Sequence, residues 1–131
     1  MLEKYEKDFD ENEFMRSFME RKQISTKKQA LAELRKLIKK EGYYQTKIKE
    51  ALKKRYPDAF VAKISQGAYS QAGIPDVMFI KDGHYFGFEV KRPVVGIRSK
   101  LQEQAAGGTA AFVCWPEEAI REVEEYEKSQ R

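Results

Sequence analysis

Hydrophobic positions along the chain follow two rhythms. Ala30, Leu31, Leu34, Leu37 and Ile38 recur at helical spacing and predict a helix over about 27–40, with Ser25-Thr26 as its start. Tyr44, Ile48, Ala51 and Leu52 mark a second helix, about Tyr43 to Arg55, stopped by Tyr56-Pro57-Asp58. Glu41-Gly42 lies between them, as a break or as a weak point in a longer helix. Phe14, Phe18, Met15 and Met19 give a weaker helical signal within residues 1–22, with Asn12 as a cap. This segment is expected to be an appendage, packing on the core or on a second subunit.

The rhythm then changes. Phe60 to Ser65 reads as a strand, and Gln66 to Gly73 as a polar loop. Runs over about 76–81 and 84–91 flank Asp82-Gly83, whose residues tolerate the positive φ of a type I′ turn. That turn makes facing residues sum to 165, so Asp76 is expected to face Glu89. Apolar residues on both faces of these strands predict a sheet covered on both sides. A short helix over about Ser99 to Ala105, a strand from Ala110 to Trp115 and a final helix opening at Pro116 complete the order α-α-α-β-β-β-α-β-α. The class is α/β (α+β), one domain with a small mixed four-stranded sheet.

The facing acids carry the chemistry. Carboxylates directly across an antiparallel pair destabilise each other unless they share a proton or a cation. Lys91, two residues beyond Glu89, points to the same face. Clustered oxygen ligands suit a hard ion such as Mg²⁺. With one cysteine, Cys114, and one histidine, the chain lacks the ligands of a Cys/His zinc site. Cys114 among apolar neighbours reads as a buried thiol, and a reducing cytoplasm is the simplest compartment. Signal peptide and membrane span are both absent from the expectation.

The 131 residues carry a formal net charge of +4, unevenly spread. Residues 21–115 hold nineteen bases and eight acids, between acidic ends. A basic body implies a polyanionic partner, most simply nucleic acid, although solvated lysine-rich helix faces explain the composition equally well.

Four blocks in order carry a resemblance: Glu41-x-x-x-Gln45-x-x-Ile48, Gly73-Ile74-Pro75-Asp76, Glu89-Val90-Lys91-Arg92-Pro93 and Ser99-x-Leu101-Gln102. Together they resemble the virus-type replication–repair nuclease module (VRR-NUC) of the PD-(D/E)xK superfamily, in its stand-alone phage and bacterial form. The resemblance covers about residues 40–120. It implies a restriction-endonuclease-like αβββαβα core from 41 to 131, preceded by a helical extension over 1–40. It implies Mg²⁺ or Mn²⁺ held by Glu41, Asp76, Glu89 and the carbonyl of Val90, and places Lys91 and Gln102 in the catalytic set. Lys91 then serves as base or as electrostatic stabiliser, and Gln104 competes with Gln102 for its role. A structure-selective DNA endonuclease, acting as a homodimer on branched or Holliday-junction-like DNA, is the implied activity. Lys63, Tyr69, Ser70, Arg92, Arg98 and Lys100 flank the motifs as candidate phosphate contacts. The chain departs from the family pattern after Gln102, where Gly107-Gly108 shortens the helix by about two turns. A non-catalytic nucleic-acid-binding protein is the competing reading, and an RNA- or single-strand-directed nuclease a third.

Overall fold

A computed structural model describes residues 1–64, 75–96 and 108–131. Three helices come first, α1 (Glu11–Lys22), α2 (Lys27–Leu37) and α3 (Glu41–Arg55). Strands β1 (Phe60–Lys63), β2 (Val77–Lys81), β3 (His84–Val90) and β4 (Thr109–Val113) follow, and α4 (Pro116–Ser129) closes the chain. The strands form one sheet in the order β1-β2-β3-β4. The first two pairings are antiparallel and the last is parallel. The fold is thus the expected mixed α+β type with a small mixed sheet. The helix expected over Ser99 to Ala105 lies outside the described residues.

The hairpin turn obeys the sequence rule. Asp82 and Gly83 take φ of 50° and 78°, and the pairs from Lys81–His84 to Val77–Phe88 all sum to 165. Asp82 tolerates that region better than most side-chain-bearing residues, and Gly83 meets no neighbour that would resist it.

Alternation along these strands gives the sheet two different faces. Val77, Phe79, Phe86, Phe88, Val90, Ala111 and Val113 share one face and are buried. Against it lie Tyr44, Ile48 and Leu52 of α3 and Ala119 and Val123 of α4. Ring contacts confirm the docking: Tyr56 at the end of α3 meets Phe79, and Tyr126 of α4 meets Phe86 edge-on. Truncating Phe88 to alanine is expected to cost roughly 3–5 kcal/mol, the usual range for a large buried ring. The opposite face carries Phe60 and Ile80, exposed at 55% and 37%, with Met78, Tyr85 and Phe112 half-buried. Among the described residues helices cover one face only, whereas both were expected to be covered.

Helix ends largely follow local chemistry. Asp10, rather than Asn12, caps α1, its carboxylate accepting from the amides of Asn12 and Glu13. Thr26 caps α2 through the amide of Gln29. At α4, Glu118 reaches back to accept from the amides of Cys114 and Trp115, joining β4 to the helix it feeds. Gly42 is accommodated inside α3, which begins at Glu41.

The first forty residues are part of the core. Phe18, Ala30 and Leu34 are buried with the sheet residues in one cluster. Tyr5, Phe9 and Tyr44 all pack edge-on against Trp115. The Tyr44 hydroxyl donates to the carbonyl of Leu2 at 2.6 Å, tying the N-terminal segment across α3.

Candidate active site

The site forms where β2 begins and β3 ends. Asp76 lies just before β2 and is held by both neighbouring strands. Its amide donates to the carbonyl of Phe88, and its carbonyl accepts from the amide of Ile64. Its carboxylate then takes the place of a ladder carbonyl: Oδ2 accepts from the Val90 amide at 2.7 Å. The side chain therefore extends the sheet by one rung, and the residue is only 6% exposed. The 165 register ends at Val77–Phe88, and the backbone bond from Asp76 to Phe88 replaces direct pairing of Asp76 with Glu89.

Glu89 precedes Val90 on β3 and is half-buried. Lys91 follows, its amide donating to the Val113 carbonyl at 2.9 Å. Glu41 enters from the first turn of α3, and Gln45 one turn on donates to its Oε1 at 3.2 Å. Electrostatics link these groups. Burial pushes the Glu89 carboxyl above the usual range, and the negative charges of Asp76 and Glu41 push it further, against the pull of Lys91. Glu41 is raised by burial and by Asp76, with Lys91, Gln45 and Arg92 opposing. Asp76 is raised by burial despite the Val90 amide and Lys91. All three acids resist ionisation, and Lys91 is the cation common to them.

Among the described residues no three His, Cys, Asp or Glu side chains group closely enough to hold a metal ion. Glu41 therefore does not complete a three-carboxylate cluster as expected, and the side chain of Gln45 on its own helix occupies one of its oxygens. A hard divalent ion needs less, commonly one or two carboxylates with waters and substrate oxygens. Asp76 and Glu89 supply two. An extended residue directs its N–H and C=O to the same flank of its strand, so Val90 turns its carbonyl toward Asp76 as well. These donors are all oxygens, the ligand type that a hard divalent ion takes.

Other expected contacts divide. Lys63 stands over the start of α3, its Nζ 3.4 Å from the Thr46 hydroxyl and on the side of Gly42. It remains exposed and available to a phosphate. Arg92 does not: its guanidinium donates to the carbonyls of Arg35, Ile38 and Lys39, as the carbonyls ending α2 require donors from elsewhere. Tyr69, Ser70, Arg98, Lys100 and Gln102 lie outside the described residues. The single histidine, His84, is half-buried in β3, stacked on Tyr126 and 2.7 Å from the Thr109 hydroxyl. One neighbour went unnoticed in the sequence. Tyr85 shares a face with Glu89 by period-two alternation, and its hydroxyl is raised by burial and then by the Glu89 charge.

The turn after Lys91 is tight. The Val95 amide donates to the Pro93 carbonyl at 2.7 Å across Val94, which takes φ of 65°. Positive φ is strained for a β-branched residue. Glu11 at the start of α1 accepts from the Val94 amide. A Cβ at Gly96 would lie 2.6 Å from the Arg92 carbonyl and 2.9 Å from the Lys91 Cβ, so only glycine fits there.

No family model, curated protein or solved structure matches the chain. Among the described residues no helix is long and apolar enough to cross a membrane.

Proposed function

We propose that this chain is a divalent-metal-dependent DNA endonuclease of the PD-(D/E)xK type, within the VRR-NUC family. The observation that carries the reading is the coupling of Asp76, Glu89 and Glu41 around Lys91 at one end of the sheet, with every acid raised. Acids held against repulsion and burial at a strand end call for a cation, and perturbed carboxyls cluster at functional sites.

Asp76 and Glu89, with the Val90 carbonyl, are the groups that hold Mg²⁺ or Mn²⁺. The bound ion supplies an acidified water and neutralises phosphate oxygens. The Val90 amide fixes the Asp76 carboxylate, so one oxygen is oriented before substrate arrives. Lys91 places an ammonium beside the reacting phosphate and offsets the charge that grows there. Glu41 accepts a hydrogen bond from Gln45 and adds a third acid that feels Asp76 and Lys91. Lys63, with the basic surface of α2 and α3, contacts the DNA backbone. A homodimer acting on branched DNA, in a reducing cytoplasm, completes the proposal.

Branched, duplex and single-stranded DNA incubated with Mg²⁺, Mn²⁺ or EDTA tests it. Cleavage of branched DNA that needs the metal supports the proposal. Salt-sensitive binding without a product under any metal condition favours the non-catalytic binding protein instead.

A further inference from the structure

The end of α2 presents carbonyls with no partner inside the helix. Ile38 leaves the helix in extended conformation, with φ of −78° and ψ of 141°. Three carbonyls from this end converge on one guanidinium. Arg92 Nε donates to Lys39 at 2.8 Å, and Nη2 donates to Arg35 and to Ile38 at 2.7 Å each. A planar, permanently charged fork suits this task, and its charge complements the negative end of the helix dipole.

The two partners of this clamp both lead directly to the site. On one side, α3 begins at Glu41, two residues after Lys39. On the other, Arg92 follows Lys91, and its own backbone is fixed by the Gly96 amide, which donates to its carbonyl at 3.1 Å. We infer that Arg92 is a positioning residue: its guanidinium fastens the end of α2 to the strand end bearing Lys91 and thereby sets where Glu41 enters the site. The helical extension is then a working part of the active site. This rests on the nuclease reading for its consequence in catalysis, though not for the clamp itself. Misplacing a reacting constellation by about 1 Å can cost on the order of a hundredfold in rate.

A phosphate contact and a positioning clamp predict different kinetics. For Arg92→Ala in the full chain, kcat on branched DNA is expected to fall roughly 10- to 100-fold. DNA affinity and its salt dependence should stay at the wild-type values. Arg92→Lys, which keeps the charge but loses the fork, should recover only part of kcat. An Arg92→Ala protein with unchanged kcat, weaker binding and a salt slope reduced by about one overturns the inference and makes Arg92 a phosphate contact. Full recovery of kcat in Arg92→Lys overturns it too, because charge alone would then suffice. Amide hydrogen exchange separates failure of this inference from failure of the nuclease reading, and Arg92→Lys serves there if Arg92→Ala does not fold. Loss of protection confined to the end of α2 and the first turn of α3 supports the clamp even if wild-type protein cuts nothing. Unchanged protection there refutes it.

Discussion

The β2–β3 hairpin has two charged ends, and they are built in opposite ways. At the turn end, Lys81 lies 2.9 Å from both Asp82 and Glu127, and its ammonium also sits over the Tyr56 ring. Those bonds raise the Lys81 pKa, the sign of a charge held comfortably by its surroundings. At the open end, Asp76, Glu89 and Glu41 are all raised, so each is less comfortable ionised than it would be in water. The adjacent guanidinium of Arg92 binds backbone carbonyls at and just beyond the end of α2. The same strands therefore hold a settled ion cluster at one end and an electrostatically strained one at the other. A fold under selection for stability alone has no need of the second.

This contrast can be broken deliberately. The largest effect is expected from Asp76→Ala and Lys91→Ala, measured as metal-dependent cleavage rates. Asp76→Ala should reduce cleavage to background, and Lys91→Ala should cost on the order of 10²–10³-fold, as for removal of one preorganised stabilising donor. Wild-type rates in either variant would remove that residue from the mechanism.

Next in size is the response to the ion itself. A ligand that binds only the folded state raises stability by about 2.7 kcal/mol at a hundred times its Kd. Mg²⁺ should therefore raise the Tm of wild-type protein at neutral pH, and Glu89→Gln should blunt that rise. Without Mg²⁺, Glu89→Gln should melt above wild type, since it removes a charge that burial and Asp76 both oppose. A lower metal-free Tm would show that Glu89 is stabilised by contacts that outweigh the repulsion.

The pH dependence follows from the same shifts. Asp76, Glu89 and Glu41 bind protons more tightly folded than unfolded. Their contribution is fully present below the unfolded values of 3.8 and 4.5 and is lost as pH rises through the higher folded values. In metal-free urea titrations, the stability gap between Glu89→Gln and wild type should widen as pH increases through that window. A constant gap would mean that Glu89 titrates as it does unfolded.

The smallest effect belongs to the settled end. Glu127→Gln leaves Lys81 its second partner, Asp82, and both Lys81 and Glu127 are partly solvated. A loss of about 0.2–1 kcal/mol is expected, with cleavage unchanged. Impaired cleavage would mean that the two ends are coupled.

Much of this was legible in residue order. Asp-Gly set the turn, and the turn set the register as far as Val77–Phe88. Thr26 and Pro116 marked helix starts, because caps and φ restrictions act over a few residues. Asp76, Glu89 and Lys91 could be picked out as neighbours because they belong to one hairpin. Asn12 was mistaken for the α1 cap because Asp10 offers the same chemistry two residues earlier. Gly42 obscured the start of α3, because a local penalty of about 1 kcal/mol is outweighed by packing of Tyr44, Ile48 and Leu52.

What the amino-acid order determined, then, is what short range governs: the turn type, the hairpin register as far as Val77–Phe88, the helix starts at Thr26 and Pro116, and the acids of the hairpin. Tertiary structure alone decided that Arg92 serves carbonyls at and just beyond the end of α2, 53 to 57 residues away, and that the N-terminal segment packs on Trp115. It also decided that the three carboxyls are raised, because a pKa depends on the water and charge around a group once the chain has closed over it. A guanidinium beside a lysine in sequence reads as a phosphate contact until the fold supplies the carbonyls that occupy it.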